Sequence, residues 1–182
     1  MKRRDDLRYL TYDEWERLIA SVDSLRDILI LRLLYETGCT VNELVHIKIK
    51  DIDFHRHTVK IHAENSRNHE FRETVISPKL AALIREFASK NIHSEFLLYT
   101  RQSKSMTTKR IRQIVQQRCV NVGIENANPQ TIRYTHIAHA YQKSVPVDAI
   151  IRQVGLKRSR AIQIFSQLSL IGPRDAYKKF LA

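Results

Sequence analysis

The chain is poor in the residues that staple or punctuate a fold. Its 182 residues include 2 cysteines, Cys39 and Cys119, so one bridge at most could form and a disulfide framework is excluded. With 4 glycines and 4 prolines it carries no linker, low-complexity tract or internal repeat. No apolar run approaches the roughly 18 residues that a membrane-spanning helix needs. The start, Met1-Lys2-Arg3-Arg4, leads into acidic residues instead of the apolar stretch of a signal peptide. The expectation is a cytoplasmic protein with no membrane partner. Negative charge is scarce in one half only: residues 99–182 hold 3 Asp/Glu against 15 Lys/Arg, whereas residues 1–98 hold 16 of each. The whole net charge of +12 therefore sits in the second half. A one-sided basic surface favours a polyanion, of which nucleic acid is the commonest; an anionic membrane or acidic protein is the weaker alternative.

What the chain does have is apolar periodicity. A hydrophobic content of 43% suffices for the core of a single domain over residues 1–182. Thr11-x-x-Glu14 reads as a capping box before a helix with Trp15, Leu18 and Ile19 on one face. Ser24 opens a second helix, carrying Leu25, Ile28, Leu29 and Leu33, that stops at Gly38. Thr40-x-x-Glu43 is another capping box before a short helix. The runs Ile52 to His62 and Phe71 to Ile76, separated by the polar stretch Glu64 to His69, predict the two strands of a hairpin, with His55, His57 and His62 facing solvent. Ser77-Pro78 starts a helix with Leu80, Leu83, Ile84 and Phe87 inward, and Phe96 to Tyr99 reads as a third strand. In the basic half, Thr107 or Thr108 caps a helix running toward Gly123, and further helices start at Asn128-Pro129, Pro146 and Pro173. The fold class expected is α+β, mainly helical, with a small antiparallel β-ribbon.

Four segments carry a more specific pattern. Thr37-Gly38-Cys39-Thr40-Val41-Asn42-Glu43-Leu44, followed by Asp51-Ile52-Asp53, resembles the box T-G-x-R-[IV]-x-E-L…D-I-D. The hairpin comes next. Asn128-Pro129-Gln130-Thr131-Ile132-Arg133-Tyr134-Thr135-His136 resembles P-H-x-[LF]-R-H-T, and Val154 to Phe165 resembles L-G-H-x9-Y in its spacing. In this order the four resemble the catalytic domain of tyrosine recombinases, the phage-integrase and Xer-like family, over nearly the whole chain. The resemblance implies DNA strand transfer on double-stranded DNA without a cofactor, by a site of two arginines, a lysine, two histidine-class groups and a nucleophilic tyrosine around one phosphate.

Carried over position by position, that site is degenerate. The first arginine falls on Thr40 and the lysine near Glu64, although Lys60 or Arg67 could project into the same space. The histidine of the H-x-x-R pair falls on Gln130, the later histidine on Leu156 and the nucleophile on Phe165, whose ring has no hydroxyl. Arg133 alone is kept. Losing one preorganised donor costs roughly 3 to 4 kcal/mol, about a hundred- to thousandfold in rate, and losing the nucleophile removes the covalent route. Thr40 has an alternative role as a helix cap, and Leu156 and Phe165 are suited to a core. Tyr177, twelve positions after Phe165, could act from a neighbouring subunit but reads first as an aromatic that packs the last helix; Tyr134 and Tyr141 read as core and surface residues. His136 and His139 lack a nearby cysteine or paired carboxylate, so no metal site is expected.

Three readings follow. In the first the chain is a DNA-binding, catalytically inactive accessory or regulatory relative of recombinases, a relic of a mobile element, that meets DNA through Lys109, Arg110, Arg112, Arg118, Arg133, Lys157, Arg158 and Arg160. Because the resemblance starts so near residue 1, the N-terminal helical clamp of the family is expected to be missing. Phosphate contacts would then give salt-sensitive, weakly sequence-selective binding. In the second, Tyr177 and Lys60 support an active strand transferase. In the third, Pro173 to Ala182 exchanges with other recombinase subunits.

Overall fold

The computed structural model describes residues 7–90, 94–100 and 103–170. The helix expected from Pro173, together with Tyr177, lies outside them. Helix α1, Tyr12–Ala20, begins with the capping box: Thr11 Oγ1 accepts from Glu14 N–H at 3.2 Å and the Glu14 carboxylate accepts from Thr11 N–H at 2.9 Å. Helix α2, Leu25–Thr37, is capped by Ser24 and ends at Gly38, whose φ of 59° is left-handed. A side chain at Gly38 would run into Val154, so the glycine also permits close approach of two helix ends. The near-continuous apolar run of α2 is buried on several sides, at Leu29, Ile30, Leu31, Leu33 and Leu34, which makes it the central helix.

Helix α3, Val41–Val45, follows a second capping box on Thr40 and Glu43. The sheet then departs from the expected hairpin. Its three antiparallel strands are β1 (Ile52–Asp53), β2 (Thr58–Ile61) and β3 (Arg72–Val75), in that order. Ile52 lies opposite Val59, and Thr58 to Ile61 run opposite Val75 to Arg72. The expected first strand is split because Asp53 Oδ1 accepts the N–H groups of His55 and Arg56, both at 2.9 Å, and His57 adopts φ 51°. His55 and His57 therefore belong to a turn, and His62, just beyond β2, keeps its side chain 37% exposed while bonding the buried Asp51 at 2.8 Å.

β3 is a sheet edge, and part of that edge is closed by a side chain. The Gln153 carboxamide accepts from Val75 N–H at 3.0 Å and donates to Val75 O at 2.8 Å. Helix α4, Pro78–Ser89, is capped by Ser77. Phe96 to Tyr99 is not the third strand that its composition predicts: Phe96 makes a single bridge to Lys48, and Leu97 and Leu98 are buried by packing. Helices α5 (Thr108–Asn121, capped by Thr107), α6 (Pro129–Gln142, capped by Asn128), α7 (Val147–Val154) and α8 (Arg158–Gln167) complete the described chain.

Two hydrophobic clusters result. The larger gathers α1 to α5 and the sheet. The smaller joins α6, α7 and α8 through Tyr134, Ile137, Ile150, Val154, Ile164 and Phe165. Helix α6 serves both, giving Ile132 to the first and Ile137 to the second. The segment before α1 is tied to it: Leu10 N–H donates to Thr135 Oγ1 and His139 Nε2 meets Leu10 O, each at 2.9 Å. Among the described residues no helix is long and apolar enough to cross a membrane.

Candidate functional site

Where the two clusters meet, a groove of about 590 Å³ opens. Its walls are the start of α3 (Thr40, Glu43), the β2–β3 loop (Arg67, Asn68), the first turns of α6 (Gln130, Arg133, Tyr134), the turn before α8 (Gly155 to Lys157) and α8 itself (Ser159, Arg160 and Ile164). Arg133 lies in it with 5% exposure; its Nη2 donates to Val154 O at 2.8 Å, and its Nε has no partner. An unpartnered buried donor of a cation marks where an anion would be stabilised. Burial pulls the Arg133 pKa down, opposed by the charge of Glu43.

Glu43 is the groove's acidic group. Its carboxylate takes a two-pronged bond from Arg72, Nη1 to Oε1 at 2.7 Å and Nη2 to Oε2 at 3.0 Å, and a third from Thr40 N–H at 2.7 Å. Burial alone would raise its pKa, but the Arg72 hydrogen bonds and charge prevail and hold the carboxyl below its usual value. Arg72 also donates from Nε to Gln153 O at 3.2 Å. It fills the space beside Gly155, where a Cβ would lie 2.6 Å from its Nη1. Asn68 donates to Gly155 O at 3.0 Å, so the strand loop and the α7–α8 turn are fastened together.

The residues at the degenerate positions do not all converge. Thr40, Gln130 and Leu156 line the groove with Arg133. Thr40 is occupied as a cap, its Oγ1 accepting from Glu43 N–H at 3.2 Å. Phe165 lies in the smaller cluster at 1% exposure, edge-on to Tyr141 with ring centroids 5.5 Å apart, and does not line the groove, whereas its neighbour Ile164 does, with Ser159 and Arg160 of the same helix. Glu64 is exposed in a short 3-10 turn, Ala63–Asn65, and Lys60 is exposed on β2 opposite Glu73; neither lines the groove, whereas Arg67 does.

The basic residues divide similarly. Lys109, Arg110 and Arg112 are exposed on α5. Arg118 is pinned, with Nε and Nη2 on Oδ2 of the buried Asp27 at 2.9 and 2.6 Å. Lys157 and Arg160 are exposed beside the groove, and Arg158 makes an exposed pair with Asp148 at 3.0 Å.

Tyr134 is the groove residue that its sequence context hid. It is one helical turn from Gln130 and lines the groove despite 7% exposure, so the period that made it a core residue also brings it to the site. His139 is fully engaged. Leu10 O can only accept, so Nε2 carries the proton and Nδ1 accepts from Tyr35 hydroxyl at 3.0 Å. His136 is pushed down to about 4, chiefly by burial, with Arg133 and His139 adding to the shift and a hydrogen bond at Tyr35 opposing it.

The arrangement agrees with comparisons to known proteins. The chain is 25% identical over 174 residues to a tyrosine recombinase, XerA of Pyrococcus horikoshii, covering 93% of this chain and 60% of that protein. It is 27% identical over 176 residues to the XerA of Thermococcus kodakarensis, covering 93% and 61%. It therefore spans about 60% of the length of these relatives. The crystal structure of a XerA recombinase superposes with a TM-score of 0.79 at 20% identity, over 94% of this chain and 64% of that one. XerH in a pre-cleavage complex with its difH substrate gives 0.74 at 16%, over 87% and 49%. The profile of the phage integrase family matches residues 8–169, and with a match over most of its length the chain belongs to that family.

Proposed function

We propose that this chain is a DNA-binding, integrase-like protein that does not cleave DNA and serves an accessory or regulatory role in DNA integration or recombination. The observation that carries the reading is Phe165: a ring with no hydroxyl, 1% exposed and packed on Tyr141, holds the position aligned with the nucleophile. The surroundings support it, since Thr40, Gln130 and Leu156 line the groove where the family resemblance places an arginine and two histidine-class groups. DNA binding is supported by the charge of the second half, by Arg133 and the cations Arg67, Lys157 and Arg160 on one groove, and by XerH, whose similar fold is bound to its difH substrate. The surface we assign to DNA comprises Lys109, Arg110, Arg112, Lys157, Arg158 and Arg160. Arg133 lies at the groove's buried end; Arg118 is left out because Asp27 holds it.

Two measurements test this. A mobility-shift titration with duplex DNA should show binding that weakens steeply with salt, and absence of any shift at low salt would refute DNA binding. A nicked suicide duplex carrying a recombinase-type core site should leave no covalent complex on a denaturing gel. Tyr134 favours the competing reading, because it lines the groove with Arg133. A covalent complex that disappears in Tyr134→Phe would establish strand cleavage from that position and refute the inactive reading.

A further inference from the structure

Helix α8 begins without a cap. Lys157 at its start makes no side-chain bond to the first turn, and that turn holds no acidic residue. The N–H groups of Ser159 and Arg160 have no hydrogen-bond partner among the described residues. A helix end of this kind presents idle donors and the positive end of the backbone dipole. Water satisfies such donors on an open surface, but Ser159 and Arg160 line the groove that holds Arg133.

Arg133 points to a ligand independently of that helix end. At 5% exposure it spends Nη2 on Val154 O, while Nε has no partner and Nη1 makes no hydrogen bond among the described residues. A buried guanidinium in this state lacks an anion. Glu43 gives it none of its hydrogen bonds, because Arg72 and Thr40 N–H already hold both carboxylate oxygens. The groove also presents the exposed cations Arg67, Lys157 and Arg160, none paired with a carboxylate among the described residues.

This is more positive potential than a phosphate within a continuous strand calls for. Such a diester carries one charge and two free oxygens, whereas a terminal phosphate carries close to two charges near neutral pH and three acceptor oxygens. Because Arg133 lies at the buried end, an anion must project inward to meet it, which a terminus does more readily than a strand crossing the mouth. The volume of about 590 Å³ falls within the range of small-molecule pockets, roughly 300 to 1,000 Å³.

We propose that the groove is a binding site for a terminal phosphate, the monoester of a free nucleotide or of a DNA end, held by Arg133, the first-turn N–H groups of α8 and the cations Arg67, Lys157 and Arg160. This goes beyond the duplex binding proposed above and does not require it. A ligand there occupies the buried end of the surface assigned to DNA, so a nucleotide in the groove competes with bound duplex.

Calorimetric titration of the whole chain with AMP and with cyclic AMP tests this, because the two share base and sugar and differ in having a phosphate monoester or a diester. AMP should bind about tenfold or more tightly, the effect of at least one further charge-assisted hydrogen bond. Lys157→Ala/Arg160→Ala exchanges exposed residues, so circular dichroism should be unchanged, yet the preference for AMP should fall. Lys109→Ala/Arg110→Ala/Arg112→Ala removes more charge, all of it outside the groove, and should keep that preference. Equal affinity for the two nucleotides, no binding of AMP, or the same loss in both variants overturns the proposal and leaves duplex binding standing. A mobility shift separates the sources. Displacement by AMP of a duplex with unphosphorylated ends identifies the free nucleotide; displacement only of the duplex with phosphorylated ends identifies the DNA end. Displacement of neither, with duplex bound, overturns the proposal. Preferential binding of AMP with no duplex shift at low salt refutes the DNA-binding reading alone.

Discussion

Glu43 shows how much one side chain can hold. At 3% exposure it neutralises Arg72, bears on Arg133 and caps α3. Glu43→Gln would leave buried guanidinium charge without its counter-ion, a change that costs about 3 to 5 kcal/mol. The urea midpoint should fall accordingly, and a loss below about 1 kcal/mol would show that Arg72 finds another partner. Phe165→Tyr is informative in the opposite direction. It returns the missing hydroxyl to a buried site packed on Tyr141, where desolvating a hydroxyl costs about 1 to 3 kcal/mol in stability. The variant should still form no covalent complex with a suicide duplex, since Thr40, Gln130 and Leu156 are unchanged. A covalent complex would mean that the other departures matter little.

Residue chemistry was legible in the sequence where it acts over short range and obscure where it does not. The capping residues Thr11, Ser24, Thr40, Ser77, Thr107 and Asn128 bond backbone groups within a few positions, and each sits where local pattern places it. The Arg72–Glu43 and Arg118–Asp27 pairs join residues 29 and 91 positions apart, so nothing local announces them. Arg118 looks like a free surface cation for that reason. Phe165 and Leu156 could be placed as departures from the family pattern, but that Phe165 turns into the smaller cluster while Leu156 lines the groove depends on how α8 packs, which its sequence does not set.

At the scale of elements, the site depends on the turn between α7 and α8. Gly155 has φ 66° and makes room for Arg72. Gly155→Ala should cost about 1 to 2 kcal/mol for the left-handed backbone alone. The clash with the guanidinium adds to this, so thermal unfolding should come at least several degrees earlier. The packing of α6 against α2 brings a pH dependence with it. His136 titrates near 4 in the fold and near 6.5 in the unfolded chain, so the unfolded state takes up a proton that the native state refuses. Stability is therefore complete above about pH 6.5 and declines as the pH falls toward 4; the lowered pKa of His139 acts in the same sense. Urea midpoints at pH 7 and pH 5 should differ, and the difference should shrink in His136→Asn. An equal difference in that variant would place the effect elsewhere.

For the whole molecule, the net charge of +12 falls entirely in residues 99–182, and Lys109, Arg110 and Arg112 present part of it exposed on α5. Replacing Lys109, Arg110 and Arg112 together by alanine should reduce the slope of log affinity against log salt by up to about 0.9 for each phosphate no longer neutralised. Replacing Lys2, Arg3 and Arg4 in the balanced half should change it less. Equal effects of the two triple variants would mean that net charge, not its location, governs binding.

Gln153 supplies a consequence of another kind. Sheet edges with idle backbone groups invite strands from other molecules. At Val75, exposed by 63% and apolar, those groups are satisfied by a single carboxamide that imitates a neighbouring strand. The amide thus serves as a chemical selvedge: a foreign strand makes no hydrogen bond at Val75 unless it first breaks two. A strand from another molecule is thereby kept from knitting onto β3 at its exposed, apolar Val75.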